Sequence, residues 1–83
     1  MVQRLNEIET SGWVIKVGDV FSNGYEDYHL KVTKIELAEG DDPDDAKIYY
    51  DMVDPQNHDK VINDPLFHEG WHRAWYINEC WYK

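Results

Sequence analysis

One cysteine, Cys80, is the only thiol in this 83-residue chain, so no intrachain disulfide can staple it. The chain also lacks a basic start followed by an apolar run, and no stretch nears the roughly 18 apolar residues that a membrane helix needs. These absences point to a soluble protein of a reducing cytoplasm, the host's if the gene is carried by a phage. Bases are scarce as well: eight Lys and Arg stand against seventeen Asp and Glu, a net charge of −9. Nucleic-acid affinity comes largely from Lys and Arg displacing condensed counterions. Direct binding to DNA or RNA is therefore disfavoured, and a protein partner with a basic surface is favoured.

Catalytic signatures are nearly absent. There is no glycine-rich phosphate loop, Ser11 and Ser22 lie in no nucleophile-elbow context, and no base is suggested beside Cys80, which reads as a core thiol. The one literal match is His68-Glu69-Gly70-Trp71-His72, in which a zinc protease would place two histidines on one helical face with glutamate as base. Gly70 weakens a helix there by about 1 kcal/mol, and no third ligand is evident beyond Glu79. A metal-dependent hydrolase through His68, Glu69 and His72 is the least favoured of three functions. A non-catalytic metal site at His58, His68 or His72 is also weighed below plain surface histidines. We expect no enzyme activity, no cofactor and no metal.

What is present is acid in the middle and aromatics at the end. Residues 39–59 hold eight acids against Lys47 alone, whereas residues 1–38 carry −2 and residues 60–83 are neutral. The last eighteen residues contain three of the four tryptophans. Rings of this size bury on the order of 150–250 Å² each, so Trp71, Trp75 and Trp81 are expected in the core with Tyr50 and Phe21. Tyr25, Tyr28, Tyr49 and Tyr76 are the candidates for exposure.

Along the chain, Leu5 and Ile8 are spaced as on one helical turn, so residues 1–11 read as a flexible arm or single turn. Trp13–Phe21 alternates as a strand with a bend at Gly18-Asp19. Asn23-Gly24 is a turn signal, and a second strand over Tyr28–Leu37 should follow. Its apolar phase shifts from Tyr28, Leu30 and Val32 to Ile35 and Leu37, which predicts a bulge near Thr33-Lys34. Ala38–Ala46 is a loop, Lys47–Val53 a third strand, Asp54–Lys60 a turn, and Val61-Ile62 a short fourth strand. For the end of the chain we favour a strand over Trp71–Trp75 and a short helix or 3₁₀ turn to Tyr82. The alternative is an α+β fold, a three-stranded antiparallel sheet with a C-terminal helix from about residue 64, capped by Asp64 with Pro65 at its first position.

The predicted class is thus a single, mainly β domain over residues 1–83: a small curved antiparallel sheet closing toward a barrel, with a short C-terminal helix. The string Val17-Gly18-Asp19-Val20-Phe21, then Tyr28–Glu36, then Lys47–Asp51 and a last strand running into a helix, resembles the SH3-like small barrels of phage and mobile-element proteins. The aspartate loop and residues 54–70 depart from that pattern. The family has no shared active site to carry over.

The candidate site is therefore a surface. Asp41, Asp42, Asp44 and Asp45 lack EF-hand spacing, since Ala46 stands where its glycine belongs. With Asp51, Asp54 and Asp59 they are read as a docking track, helped by Tyr49. Carboxylates on alternate strand residues lie roughly 6–7 Å apart, close to the spacing of successive phosphates. Together with the resemblance, this implies a non-enzymatic nucleic-acid mimic of the anti-CRISPR or anti-restriction type, an inhibitor seated on the basic site of a nucleic-acid-binding protein. The competing expectation is a structural or scaffolding module that binds protein through its aromatic face.

Overall fold

The computed structural model describes residues 1–24, 27–62 and 70–83. Among these, eight strands precede one short helix: β1 Val2–Leu5, β2 Glu7–Glu9, β3 Val14–Lys16, β4 Val20–Phe21, β5 His29–Ala38, β6 Lys47–Asp54, β7 Asn57–Val61, β8 Gly70–Arg73 and α1 Ala74–Cys80. The fold is β-rich with a C-terminal helix, as the alternating apolar pattern predicts. Two long strands organise it. β5 and β6 pair antiparallel, and each is flanked along its other edge by two short strands, β1 and β4 on β5, β7 and β8 on β6.

The bulge expected near Thr33-Lys34 is present. The β5–β6 register shifts between Val32 and Lys34, so Val32 opposes Tyr50 and Lys34 opposes Tyr49. At the same place the Gly18 N–H donates to the Val32 carbonyl at 2.8 Å, and the Val32 N–H donates to the Asp19 carbonyl at 2.9 Å. Gly18 reaches this position with φ +95°, which a side chain would oppose. The bend therefore cuts the Trp13–Phe21 ribbon in two: β3 leaves to pair with β2, while β4 stays on β5.

The core lies between one face of the large sheet, the β2–β3 hairpin and α1. It joins Ile8 and Ile15 to Phe21, Leu30, Val32, Ile35 and Ile48, and to Ala74, Ile77 and Trp81 of the C-terminal segment. The hairpin is fastened to the helix through Asn78, whose Oδ1 accepts from the Trp13 N–H at 3.0 Å and whose Nδ2 donates to Thr10 Oγ1 at 3.0 Å. The Ser22 N–H donates to the Tyr82 carbonyl at 2.6 Å, and the Tyr82 N–H returns a bond to the Ser22 carbonyl at 2.9 Å.

Four expectations are corrected. The sheet does not close into a barrel: among the described residues β1 and β7 end the path β1-β5-β6-β7 without pairing each other. Residues 1–11 are not a free arm, because β1 adds an edge to β5 with Leu5 opposite Ile35. The stretch after Pro55 is more than a turn, since β7 covers Asn57–Val61. A helix running continuously from residue 64 is ruled out by the extended Gly70–Arg73, which pairs with β6 from Lys47 to Tyr50. Asp64 and Pro65 lie outside the described residues.

The aromatics divide in a way their size does not predict. Phe21, Tyr50 and Trp81 are buried, but Trp71 and Trp75 are 42% and 45% exposed. In β8 the inward position belongs to His72, so Trp71 and Arg73 lie on the outer face, and in α1 the buried positions are Ala74 and Ile77, which leaves Trp75 outside. Cys80 is half-buried against the core.

Candidate acidic and aromatic docking face

Directly opposed residues of antiparallel strands share a face, so the pairings define the outer surface of the sheet. One row crosses four strands: Arg4, Glu36, Lys47, Arg73. The next holds Lys34, Tyr49 and Trp71, and the third Val20, Lys31 and Asp51. Cations lie on the rings. Lys34 Nζ is 4.1 Å from the Tyr49 centroid, Lys47 Nζ 4.7 Å from that of Trp71, and the Arg73 guanidinium 5.0 Å from the same ring. Such contacts are worth roughly 0.5–1 kcal/mol at exposed sites. They pack Lys47 and Arg73 against the exposed Trp71 ring.

Against this face the sequence-predicted aspartates fall into two groups. Asp41 and Asp45 line a cleft of about 270 Å³ together with Glu36, Lys47 and Arg73. Arg73 closes it from one side by donating to the Asp45 carbonyl at 2.9 Å. Asp42 and Asp44 are used within the fold. The Asp42 carboxylate caps the 3₁₀ turn Pro43–Asp45, accepting from the Asp44 N–H at 3.0 Å. Asp44 accepts from the Ser11 N–H at 2.9 Å and the Ser11 hydroxyl at 2.7 Å. These bonds, the backbone one first, hold its carboxyl below the usual aspartate range.

The second group sits toward the other end of β6. Asp51 is on the outer face opposite Lys31; Asp54 accepts from the Gln56 N–H at 2.8 Å in the β6–β7 turn; Asp59 on β7 pairs with Lys31 at 3.5 Å. Eight strand residues span roughly 23 Å, so the groups are separated by most of a strand, with Lys47, Tyr49, Trp71 and Lys34 between them. Tyr49 alone of the predicted residues lies in this middle.

Two histidines are also placed. His72 points inward, its Nε2 3.2 Å from the Tyr50 hydroxyl, its ring stacked on Tyr50 at 5.1 Å and tilted against Tyr76 at 4.5 Å. Burial pushes its pKa below 6.5 and pushes that of Tyr50 above 10. His72 lies in a strand, whereas the protease motif calls for a helix; His68 and Glu69 lie outside the described residues, as does Tyr25. Tyr28 is half-buried against Trp81, with ring centroids 6.0 Å apart, whereas Tyr76 is exposed.

The face that includes Lys34, Lys47, Trp71 and Arg73 was not among the candidates read from sequence. Its signal is the every-second-residue placement of ring and charge in Lys47-Tyr49-Asp51 and Trp71-Arg73, which becomes a surface only when β6 and β8 are put side by side. No helix among the described residues is long and apolar enough to cross a membrane. Compared with known proteins, the chain matches no family model, no curated protein and no solved structure.

Proposed function

We propose that this chain is a non-enzymatic protein-binding module that docks on the basic, nucleic-acid-binding surface of a partner and competes there with nucleic acid. The observation that supports this reading is charge left open at the surface. Among the described residues no Lys, Arg or His nitrogen lies within 4.0 Å of the carboxylates of Asp41, Asp42, Asp45, Asp51 or Asp54. Carboxylates exposed without a cation keep their field for a partner. The acids frame the exposed Trp71 and the half-buried Tyr49, an aromatic centre with a charged rim, which is the usual make-up of a protein interface. An inhibitor of a phage-defence nuclease complex is the biological setting this reading suits.

The test uses the acids that the fold does not need. The triple reversal Asp41→Lys, Asp45→Lys, Asp51→Lys spares the Asp42 cap and the Asp44–Ser11 bonds. In a pull-down from bacterial lysate at moderate salt, the wild type should retain a nucleic-acid-binding protein and the triple variant should lose it. Retention of the same protein by both would overturn the proposal. The half-exposed Trp71 and Trp75 favour a second reading, an aromatic docking face in which acid serves only solubility. In that case Trp71→Ala abolishes capture and added salt does not.

A further inference from the structure

The first residue of β5 and the second of β7 meet across the strand between them. His29 opposes Val53 of β6, and β7 pairs along the other edge of β6, from Val53 opposite Val61 to Asp54 opposite Asn57. Strands separated by one intervening strand are roughly 10 Å apart, so two side chains must lean toward each other to touch. They do: His29 Nδ1 is 3.0 Å from His58 Nε2, with ring centroids 5.2 Å apart and planes inclined at 52°. Val53 between the two strands is fully buried. His58 is exposed and His29 half-buried, so the pair is open to solvent on one side.

From this geometry we propose that His29 and His58 form a two-imidazole site for a divalent transition metal of tetragonal or octahedral preference, Ni²⁺ or Cu²⁺. A metal ion at about 2.0–2.1 Å from each nitrogen, with the nitrogens 3.0 Å apart, subtends an angle of about 95°. That is the cis angle of a square-planar or octahedral ion, whereas a tetrahedral ion would spread the nitrogens to about 3.3 Å. Borderline imidazole nitrogen also matches the ligand preference of these two metals. Without metal, one ring N–H donates to the other ring nitrogen. Binding replaces that hydrogen bond: the donor ring passes to its other tautomer, its proton moving through solvent to the ring nitrogen that faces away, so that both facing nitrogens offer a lone pair to the ion as the rings turn. Among the described residues no group of three or more His, Cys, Asp and Glu is placed to hold a metal, so the two imidazoles are the ligands that the described residues supply. The sheet holds both ligands in place before the ion arrives, which raises the effective concentration of the second imidazole once the first has bound.

The experiment titrates NiCl₂ into the full chain in a non-coordinating buffer, followed by calorimetry, alongside His29→Ala, His58→Ala and His68→Ala. One Ni²⁺ per chain is expected, with affinity lower by about tenfold or more in each of the first two variants and unchanged in the third. An unchanged affinity in His29→Ala or in His58→Ala overturns the site, as does equal weakening by His68→Ala or a failure of the wild type to saturate. Circular dichroism without metal checks that the variants fold, and His58→Gln replaces His58→Ala if that one does not. Electron paramagnetic resonance of the Cu²⁺ complex gives an independent readout: splitting from two nitrogens in the wild type and from one in either single variant.

Discussion

His72 shows how one inward side chain can make stability depend on pH. In the folded chain its pKa is lowered by burial, so the native state favours the neutral ring and the unfolded chain binds the proton more readily. The resulting stability is present above the ordinary histidine range and is lost as pH falls through about 6.5 and below. Protonation would also oblige Nε2 to donate to the Tyr50 hydroxyl rather than accept from it. Thermal melts between about pH 7 and pH 5 should fall more steeply for the wild type than for His72→Gln. Equal slopes would show that another group dominates the window. The sequence presents His72 as half of a zinc motif because a motif is read along the chain. Its partner in space is Tyr50, 22 positions away on β6, and only the β6–β8 register brings the two together.

At the scale of elements, the least expected joint is the one between the β2–β3 hairpin and α1. A Cβ on Gly12 would meet Asn78 Cγ at 2.6 Å and Oδ1 at 2.8 Å, so the absence of a side chain at residue 12 lets Asn78 hold both Trp13 and Thr10. Gly12→Ala should destabilise by about 1–3 kcal/mol through overpacking at this joint, measured by urea unfolding. A loss of only a few tenths would mean that Asn78 swings aside at little cost. Gly12 has no signal in the sequence beyond its place after Thr10-Ser11. By contrast β5, β6 and the bulge between them are legible, because a one-residue slip in an apolar alternation swaps sheet faces unless an extra residue absorbs it. β1 and β7 are not, since Val-Gln-Arg-Leu and Asn-His-Asp-Lys-Val are nearly all exposed and become strands by pairing with a neighbour. The exposure of Trp71 and Trp75 was hidden for a related reason: ring size argues for burial, but the register of β8 sets the face of Trp71, and Trp75 stands off the buried Ala74 and Ile77 of α1.

Over the whole molecule, it is charge that the fold leaves unbalanced. A net charge of −9 on 83 residues repels itself, and the carboxylates of Asp41, Asp45 and Asp51 form no ion pair within 4.0 Å among the described residues. Asp41→Asn with Asp45→Asn should therefore raise the melting temperature in low salt. The gain should shrink as the screening length falls from about 10 Å at 0.1 M to about 3 Å at 1 M. A gain that persists at high salt would point to local hydrogen bonding instead. The acidic composition was legible at once, whereas the cation and ring ladder that splits the acids into two groups was not. Lys34, Lys47 and Arg73 are far apart in the chain, and only the pairing of three strands collects them.

The bonds from Asn78 to Trp13 and Thr10 also govern the order of events during synthesis. The β2–β3 hairpin leaves the ribosome early, yet the side chain that fastens it is 65 positions downstream. Contacts this distant close slowly, because a long loop must be ordered before anything rewards it. Until α1 emerges, Ile8 and Ile15 have no helix to pack on and form an apolar surface open to solvent and to other nascent chains. Productive yield should therefore depend on how quickly residues 74–81 follow, and a translational pause placed before Ala74 is where aggregation would begin.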